Sequence, residues 1–358
     1  MFEDQLEGQY LDIANCQEEE QDAFLKKANV VGVGVGHKVT EGKEEENEPC
    51  MAVFVSQKLP LSLLKDDDII PKDIGNLKTD VIETGEIFAG NKHVPLAMYE
   101  RAIPAARHEK NRQIAFHELE EPPSVEEFAI TEEEFAGIQI LKARMRPAEG
   151  GASIGHYHIS AGTIATAVYD TSAFTGIPRR YYILSNNHVL ANSNDARIGD
   201  PILQPGWYDG GRYPEDLIAR LSQFVPIRFG GQSNYVDAAI AEARFQDIDR
   251  TIYWIGYVKG VAPPRIGMIV QKTGRTTNYT TGRITHVNAT VNVNYGGGKV
   301  ARMQRQILTT NMSAGGDSGS LLCDMNENAV GLLFAGSSSV TVHNDIRYVQ
   351  ALLGIKVA

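Results

Sequence analysis

Apolar runs in the first 90 residues predict one helix followed by three strands. Residues 3–27 are rich in Glu, Gln, Leu and Ala with a single glycine, a composition that favours a surface helix. Val30–Gly36 and Met51–Val55 are short apolar runs that predict two partner strands, and Thr79–Ile87 predicts a third. These elements together predict a small α/β domain that ends near Gly90.

Charged stretches separate these elements from each other and from the rest of the chain. Glu41–Glu48 is acidic and predicts a loop between the first two strands. A charged and partly helical connection then passes through Pro122–Pro123 and Glu132–Glu134 to about Pro147. We therefore expect residues 1–148 to form an N-terminal α/β domain and a charged connector.

Beyond Gly150 the pattern changes to short β-branched runs separated by glycine, proline and asparagine turns. Such a pattern is typical of an all-β barrel or sandwich. No internal repeat is visible in the sequence. The predicted strands of this part are Gly162–Tyr169, Tyr181–Leu184, Val236–Ala241, Gly267–Lys272, Gly282–Val287 and Ala329–Ala335.

Composition then narrows the range of partners. The formal net charge of −11 opposes binding to the phosphate backbone of nucleic acids. No apolar run approaches the roughly 18–20 residues that span a bilayer, and the first 20 residues are acidic, unlike a secretion signal. The three cysteines are widely spaced and form no metal-like pairs, which favours a reducing compartment. We expect a soluble, cytoplasmic protein that binds neither nucleic acid nor membrane.

The most informative motif is Gly315–Ser320, which places Ser318 on a glycine-rich turn before the apolar run Leu321–Cys323. Serine–glycine turns are common structural connectors, so the motif alone is only suggestive. A serine hydroxyl becomes nucleophilic only when an adjacent base removes its proton and a third group orients that base. The sequence must therefore supply two partners for Ser318.

Both partners are present upstream of the serine. The apolar run Tyr181–Leu184 leads into a polar turn that ends at His188, a good position for a base. Asp237 directly precedes the apolar run Ala238–Ala241, where a buried carboxylate could orient that base. The order is His188, Asp237, Ser318, with separations of 237 − 188 = 49 and 318 − 237 = 81 residues.

This order and the three local contexts resemble the trypsin-like serine peptidases. The segments 151–156, 184–190, 199–206 and 236–241 resemble a bacterial subgroup related to the plant narrow-leaf peptidases. The resemblance covers roughly residue 150 to the C-terminus. It implies a mainly β fold in which two six-stranded antiparallel barrels, at roughly 152–248 and 252–358, form a peptidase domain over 149–358 after the α/β domain.

The resemblance also implies roles for individual residues. Ser318 is the expected nucleophile, His188 the proton shuttle and Asp237 the residue that fixes the imidazole tautomer. The backbone N–H groups of Gly316 and Ser318 are the expected oxyanion donors. Asp317 is expected to be a buried carboxylate that holds the loop.

The primary specificity pocket is implied by alignment from Ser318. Met312 is expected at its base, and Phe334, Ala335 and Gly336 along the wall that pairs with substrate. None of these residues is charged, which favours apolar or small substrate side chains. The chain departs from the family pattern at Ser320, where glycine is usual, and at Ser185–Asn187, where small apolar residues are usual.

Other motifs have weaker functional interpretations. His156 and His158 lie on one face of a predicted strand and could be two metal ligands, but a structural role is favoured because no third ligand has a recognisable spacing. Gly32–Gly36 and Gly296–Lys299 do not match the spacing of nucleotide or phosphate loops. A lipase-like nucleophile elbow would need glycine at Ser320. We therefore expect no cofactor and no metal.

The sequence thus predicts a serine endopeptidase acting on proteins or peptides. The main alternative is a protease-fold binding or scaffold module without turnover. A further possibility is an enzyme that the N-terminal domain holds latent, and this domain is expected to position or restrain the peptidase or to mediate contact with a second copy or a regulatory partner. Asp317 would pair either with a new N-terminus freed near Ser153–Gly155 or with a partner inside the chain, and the second is favoured.

Overall fold

A computed structural model of the chain describes residues 6–40, 43–90, 139–171 and 180–357. Two β-barrels form most of this structure, and an α/β region precedes them. The predicted connector through Pro122–Pro123 and Glu132–Glu134 lies outside the described residues. No helix within the described ranges is long and apolar enough to cross a membrane.

The first barrel closes because the stretch 162–170 pairs with strand β7 at its start and with strand β10 at its end. Strands β7 to β12 and β14 form a sheet in the order β9-β10-β14-β12-β11-β7-β8. Strands β8 and β9 follow one another, and β8 pairs with β7 while β9 pairs with β10, so the sheet meets itself. These strands are β7 (Ser153–His156), β8 (Gly162–Thr163), β9 (Ala167–Asp170), β10 (Tyr181–Ser185), β11 (Pro201–Leu203), β12 (Leu217–Phe224) and β14 (Ala239–Ala243).

The second barrel is a ring of six antiparallel strands. Its order is β18-β19-β20-β23-β22-β21, and β21 pairs with β18 again to close it. Two six-stranded barrels were predicted, and the structure confirms them once β8 and β9 are counted as one bent strand. The strands of the ring are β18 (Ile269–Gly274), β19 (Asn278–Asn294), β20 (Val300–Thr310), β21 (Leu321–Asp324), β22 (Asn328–Gly336) and β23 (Val340–Asp345).

The N-terminal region extends the sheet of the second barrel. Strand β1 pairs antiparallel with β19, and β2 pairs with β1 on its other side and with β4 in parallel. Helix α1 buries Ile13 and Phe24 in a core shared with Val33, Met51 and Leu322. The elements are α1 (Gln9–Phe24), β1 (Val30–Thr40), β2 (Lys43–Val55), β3 (Asp73–Ile74), β4 (Leu77–Glu83) and β5 (Ile87–Ala89).

The prediction of a loop over Glu41–Glu48 was wrong from Lys43 onward. Strand β2 begins at Lys43, and its first residues pair with the end of β1, with Thr40 opposite Lys43 and Lys38 opposite Glu45. Backbone pairing between two strands supplies hydrogen bonds whatever the side chains are. The acidic composition therefore did not mark an interruption of the strand.

Strand β5 is set apart from the rest of the N-terminal region. It runs parallel to the end of β19, with Ile87 opposite Val293, and antiparallel to the end of β22, with Ala89 opposite Ala335. Strand β5 therefore pairs along the edge of β22 in the second barrel. This is the edge along which the sequence predicted that substrate would pair.

Short elements complete the described structure. The C-terminal helix α3 leads into β24, which pairs with β9 and so returns the chain to the first barrel. A core between the barrels contains Leu184 and Ile240 from the first and Leu332 from the second. The remaining helices and strands are α2 (Asn187–Leu190), α3 (Ile346–Leu353), β6 (Ala148–Gly150), β13 (Ser233–Asn234), β15 (Ile248–Ile252), β16 (Gly256–Tyr257), β17 (Gly260–Val261) and β24 (Ile355–Lys356), with 3₁₀ turns at Leu61–Leu63, Asp66–Asp68, Ile140–Lys142, Asn192–Asn194, Trp207–Asp209 and Phe245–Asp247.

Candidate active site

His188 lies in the single turn of α2, directly after strand β10 ends. The polar residues before it are buried and bind neighbouring backbone. Ser185 Oγ donates to the Thr163 carbonyl at 2.8 Å, and Asn186 Nδ2 donates to the Asp237 carbonyl at 2.8 Å. Asn186 therefore ties the histidine turn to the segment that carries Asp237, and Ser185 ties it to Thr163.

His188 and Asp237 form the closest polar contact of the site. The Nδ1–Oδ2 distance is 2.6 Å, and the His188 backbone N–H also donates to Oδ1 at 3.1 Å. The Asp237 side chain is fully buried, and that of His188 is 10% exposed. Because a carboxylate accepts, Nδ1 carries the hydrogen, so Nε2 is the basic nitrogen of this imidazole.

Ser318 lies on a tight turn before β21 that is held against the first barrel. Thr163 N–H donates to the Ser318 carbonyl at 2.8 Å. Gly319 has a φ of +100°, and a Cβ there would lie 2.1 Å from the Thr163 carbonyl oxygen, so only glycine fits. Ser320, the departure from the family pattern, is buried and donates through both N–H and Oγ to the Asp317 carbonyl.

Ser318 lines a cavity together with Gly90, and Gly90 lies beside His188, but Ser318 and His188 are not hydrogen-bonded to each other. His188 Nε2 is buried and has no hydrogen-bond partner among the described residues. Gly162 separates the two segments, because a Cβ there would touch both Val189 of the histidine turn and the Ser318 carbonyl. Catalytic hydrogen bonds are often open in a free enzyme and tighten with substrate.

The peptide group before Gly316 is oriented by a side chain. Thr276 Oγ1 donates to the Gly315 carbonyl at 2.8 Å. Since the carbonyl and N–H of a trans peptide point in opposite directions, the Gly316 N–H points away from Thr276. The Gly316 carbonyl in turn accepts from Thr163 Oγ1 at 2.9 Å. These two contacts fix the orientation of the peptide groups on both sides of Gly316.

Asp317 is fully buried and has its partner inside the chain. Its Oδ2 lies 3.1 Å from Lys272 Nζ, and the lysine is also fully buried. The same carboxylate accepts from Thr277 Oγ1 at 2.6 Å and from the N–H groups of Thr276 and Ala314. Burial lowers the pKa of Lys272, and Asp317 opposes that shift.

Asp317 does not pair with a chain end near Ser153 in this structure, because its charged partner is Lys272. Ser153, Ile154 and Gly155 lie inside strand β7 and are buried. The segment that follows Lys272 also anchors the loop that carries Ser318, through Thr276 and Thr277. The general expectation of an internal partner for Asp317 agrees with this contact, although the sequence did not identify Lys272.

A cavity of about 480 Å³ lies beside Ser318. Ala335 and Gly336 line it as expected, whereas Met312 and Phe334 do not: Met312 is 5% exposed and Phe334 is fully buried, each in a hydrophobic core. For Phe334 the reason is that alternate residues of a strand face opposite sides, and Met312 lies beyond the end of β20. The lining consists of Gly85, Glu86, Phe88, Gly90, Ser313, Ala314, Gly315, Ser318, Leu333, Ala335, Gly336, Ser337 and Ser338.

The N-terminal region contacts His188 through Gly90. A Cβ on this glycine would lie 3.6 Å from His188 Cδ2, and the φ of Gly90 is +73°. The preceding residues Phe88 and Ala89 pair with Gly336 and Ala335 of β22. Strand β5 therefore lies beside the cavity that Ser318 lines.

His156, the histidine weighed as a metal ligand, has both ring nitrogens engaged. Its Nε2 donates to Asp200 Oδ2 at 3.1 Å, and its Nδ1 accepts from the His158 N–H at 3.2 Å. Burial lowers its pKa although Asp200 acts in the other direction. No group of three potential metal-ligating side chains occurs in the described part of the chain.

Comparison with known proteins finds similarity to one family of peptidases over part of the chain. Residues 166–332 match the family model of the trypsin-like peptidase domain. A stretch of 87 residues, 24% of this chain, is 40% identical to glutamyl endopeptidase 2 of Streptomyces griseus and spans only 38% of that protein.

Solved structures of serine proteases also align. Protease A of Thermobifida fusca is 17% identical, with 58% of this chain and 96% of that chain covered and a TM-score of 0.42. A glutamic acid-specific serine protease, described as using a histidine triad in substrate binding, is 21% identical, with 59% and 100% covered and a TM-score of 0.41.

Proposed function

We propose that this chain, whose residues 166–332 match the model of the trypsin-like peptidase domain, is a serine endopeptidase that uses His188, Asp237 and Ser318. The observation that supports this most strongly is the His188–Asp237 contact of 2.6 Å. It leaves Nε2 as the basic nitrogen in the cleft that contains Ser318. A binding module without turnover would not need a buried carboxylate to fix that tautomer.

In the proposed reaction, His188 Nε2 removes the proton from Ser318 as the hydroxyl oxygen attacks the substrate carbonyl. Asp237 stabilises the imidazolium that forms. The N–H groups of Gly316 and Ser318 donate to the oxyanion, a contribution of about 3 kcal/mol for each donor. His188 then protonates the leaving amine, and water hydrolyses the acyl-enzyme by the same route.

The cavity beside Ser318 supports a preference for substrate side chains without a negative charge. Its lining includes Ser313, Ser337, Ser338 and the acidic Glu86, and among the described residues it contains no Lys, Arg or His. A substrate carboxylate buried there would lack a compensating cation. We therefore propose this preference in place of the glutamate preference that the names of two relatives state for those proteins.

We also propose that the N-terminal region restrains the peptidase through β5. A peptide substrate of a β-rich protease binds as an added antiparallel strand, and the edge of β22 that would accept it is occupied by Phe88 and Ala89. Gly90 then turns toward His188 with a positive φ, unlike the extended backbone of a strand. This geometry favours a bound inhibitory strand over a substrate.

Replacement of the nucleophile tests the proposed activity. Ser318→Ala removes one oxygen from a buried turn and is expected to leave folding intact while hydrolysis of a broad peptide library falls to background. Thermal unfolding of both proteins provides the folding control. Hydrolysis by a folded Ser318→Ala protein at the wild-type rate would exclude Ser318 as the nucleophile.

A further inference from the structure

The hairpin between β19 and β20 extends from the second barrel to the histidine loop of the first. Its tip is closed by hydrogen bonds between Tyr295 and Lys299, with Tyr295 N–H donating to the Lys299 carbonyl at 2.9 Å. Lys299 Nζ lies 3.0 Å from Asp195 Oδ2, close behind the histidine turn. The tip is thus attached to both barrels.

Tyr295 at this tip contacts the catalytic pair directly. Its hydroxyl donates to Asp237 Oδ2 at 2.9 Å, the same oxygen that accepts from His188 Nδ1. Its ring lies edge-on to the His188 imidazole at 6.0 Å and to Phe229 at 5.6 Å. Burial and the adjacent carboxylate raise the pKa of Tyr295 well above its usual value, so the phenol remains a donor.

We propose that Tyr295 is a positioning residue for the peptidase reaction, holding Asp237 in the orientation that aligns His188. This inference rests on the proposed function. Three donors reach the Asp237 carboxylate: His188 Nδ1 and Tyr295 at Oδ2, and the His188 N–H at Oδ1. Among these three donors, Tyr295 is the one that belongs to the second barrel. Its hydrogen bond therefore connects Asp237 and His188 of the first barrel to the second barrel.

The hydroxyl also affects the charge that His188 experiences. A donor to a buried carboxylate disperses its negative charge, so removing the donor strengthens the attraction of that carboxylate for a protonated imidazole. Two ion pairs of the described structure, Asp195 with Lys299 at the hairpin tip and Asp317 with Lys272 under the serine loop, are each internally compensated.

Tyr295→Phe tests the proposal, and Tyr279→Phe is the matched control. Tyr279 lies near the start of strand β19, whereas Tyr295 directly follows its end. The Tyr279 hydroxyl donates to Gln271 Oε1 at 3.0 Å. Removing the Tyr295 hydroxyl is expected to lower kcat about tenfold with KM within about twofold, because alignment of the base matters in the transition state. The control is expected to retain the wild-type kcat.

The pH profile gives a readout that a purely structural role would not change. In Tyr295→Phe, the acid limb of kcat/KM is expected to move to higher pH by about half a unit to one unit, because the imidazole holds its proton more strongly. The low-field proton NMR signal of the His188 Nδ1–H is expected to shift in the same variant and not in Tyr279→Phe.

The kinetic, pH and NMR measurements together distinguish a wrong inference about Tyr295 from a wrong proposed function. If wild type hydrolyses peptides and Tyr295→Phe keeps its kcat, pH profile and NMR signal, the inference about Tyr295 is wrong while the proposed function stands. If folded wild type hydrolyses nothing, the proposed function fails, and the NMR comparison still tests the contact of the phenol with the His188–Asp237 pair. Thermal unfolding of each variant shows that both fold.

Discussion

Lys272 and Asp317 form a fully buried ion pair beneath the loop that carries Ser318, with 3.1 Å between Nζ and Oδ2. Asp317 is the residue directly before Ser318, so its position sets the backbone of the turn that carries Ser318. Gly274 leaves room for the carboxylate, because a Cβ there would lie 2.4 Å from Asp317 Oδ1. The loop therefore has its counter-charge within the intact chain.

The first prediction concerns this ion pair. Lys272→Met leaves the Asp317 carboxylate buried without its cation, and breaking such a pair typically costs about 3–5 kcal/mol. We expect a loss of unfolding free energy of this order, measured by urea denaturation, and a loss of peptide hydrolysis because the Ser318 turn is no longer fixed.

The matched control for this substitution is Lys259→Met. Lys259 pairs with Glu327, but its side chain is 68% exposed, so removing it is expected to cost about 0–1 kcal/mol. If Lys272→Met had the same urea midpoint and activity as Lys259→Met, the buried pair would not stabilise the active loop.

The second prediction concerns strand β5. Phe88 lies between Gly336 of β22 and Asn294 of β19, so its N–H faces one of these strands. Phe88→Pro removes that donor and weakens the occupation of the cleft. Since one hydrogen bond contributes about 0.5–1.5 kcal/mol, we expect kcat/KM for peptide substrates to rise about two- to tenfold.

Leu63→Pro is the control for this prediction. It removes one backbone hydrogen bond of the N-terminal region, from the Leu63 N–H to the Pro60 carbonyl, without touching the cleft. Equal kcat/KM values for the two folded variants would show that β5 does not restrain the enzyme.

The sequence predicted the parts of the site that depend on local context. His188 after an apolar strand, Asp237 before one and Ser318 on a glycine turn each have a recognisable environment. The structure places His188 against Asp237, and it places Gly90 between His188 and the cavity that Ser318 lines. Tyr295 had only a weak signal, an aromatic residue before three glycines. Its contact with Asp237 spans 58 residues and two barrels, and local sequence does not encode such a distance.

The differences in the pocket and the N-terminal region have similar causes. Met312 and Phe334 were assigned to the pocket by alignment, but the alternation of side chains along the strand places Phe334 in a core. Strand β5 was expected as the end of a longer run over Thr79–Ile87. The chain instead breaks after Glu83 and pairs again at Ile87, which depends on the edge that β22 offers.

The third prediction concerns the coupling of the triad. His188→Ala and the double variant His188→Ala with Ser318→Ala are expected to lose nearly the same factor in kcat, because residues that act as one unit do not contribute additively. Asp237→Asn is expected to lose roughly 10⁴ in kcat through the wrong imidazole tautomer. Losses that add on a logarithmic scale would argue against a shared mechanism.

The fourth prediction is that catalysis needs no divalent metal. His156 uses both ring nitrogens within the protein, and the proposed nucleophile is activated by His188. Incubation with EDTA is therefore expected to leave the rate of peptide hydrolysis unchanged. Inhibition by EDTA that added zinc reverses would instead favour a metal site at His156 and His158.

Reaction of the intact chain with a fluorophosphonate tests the central claim most directly, because the reagent reports whether Ser318 is an activated nucleophile. The account predicts a single adduct, located at Ser318 by peptide mass spectrometry, on uncleaved wild-type protein. It also predicts faster labelling in Phe88→Pro and labelling at least about 100-fold slower in His188→Ala. The absence of any adduct on both folded wild type and Phe88→Pro, or an adduct at a residue other than Ser318, would contradict it.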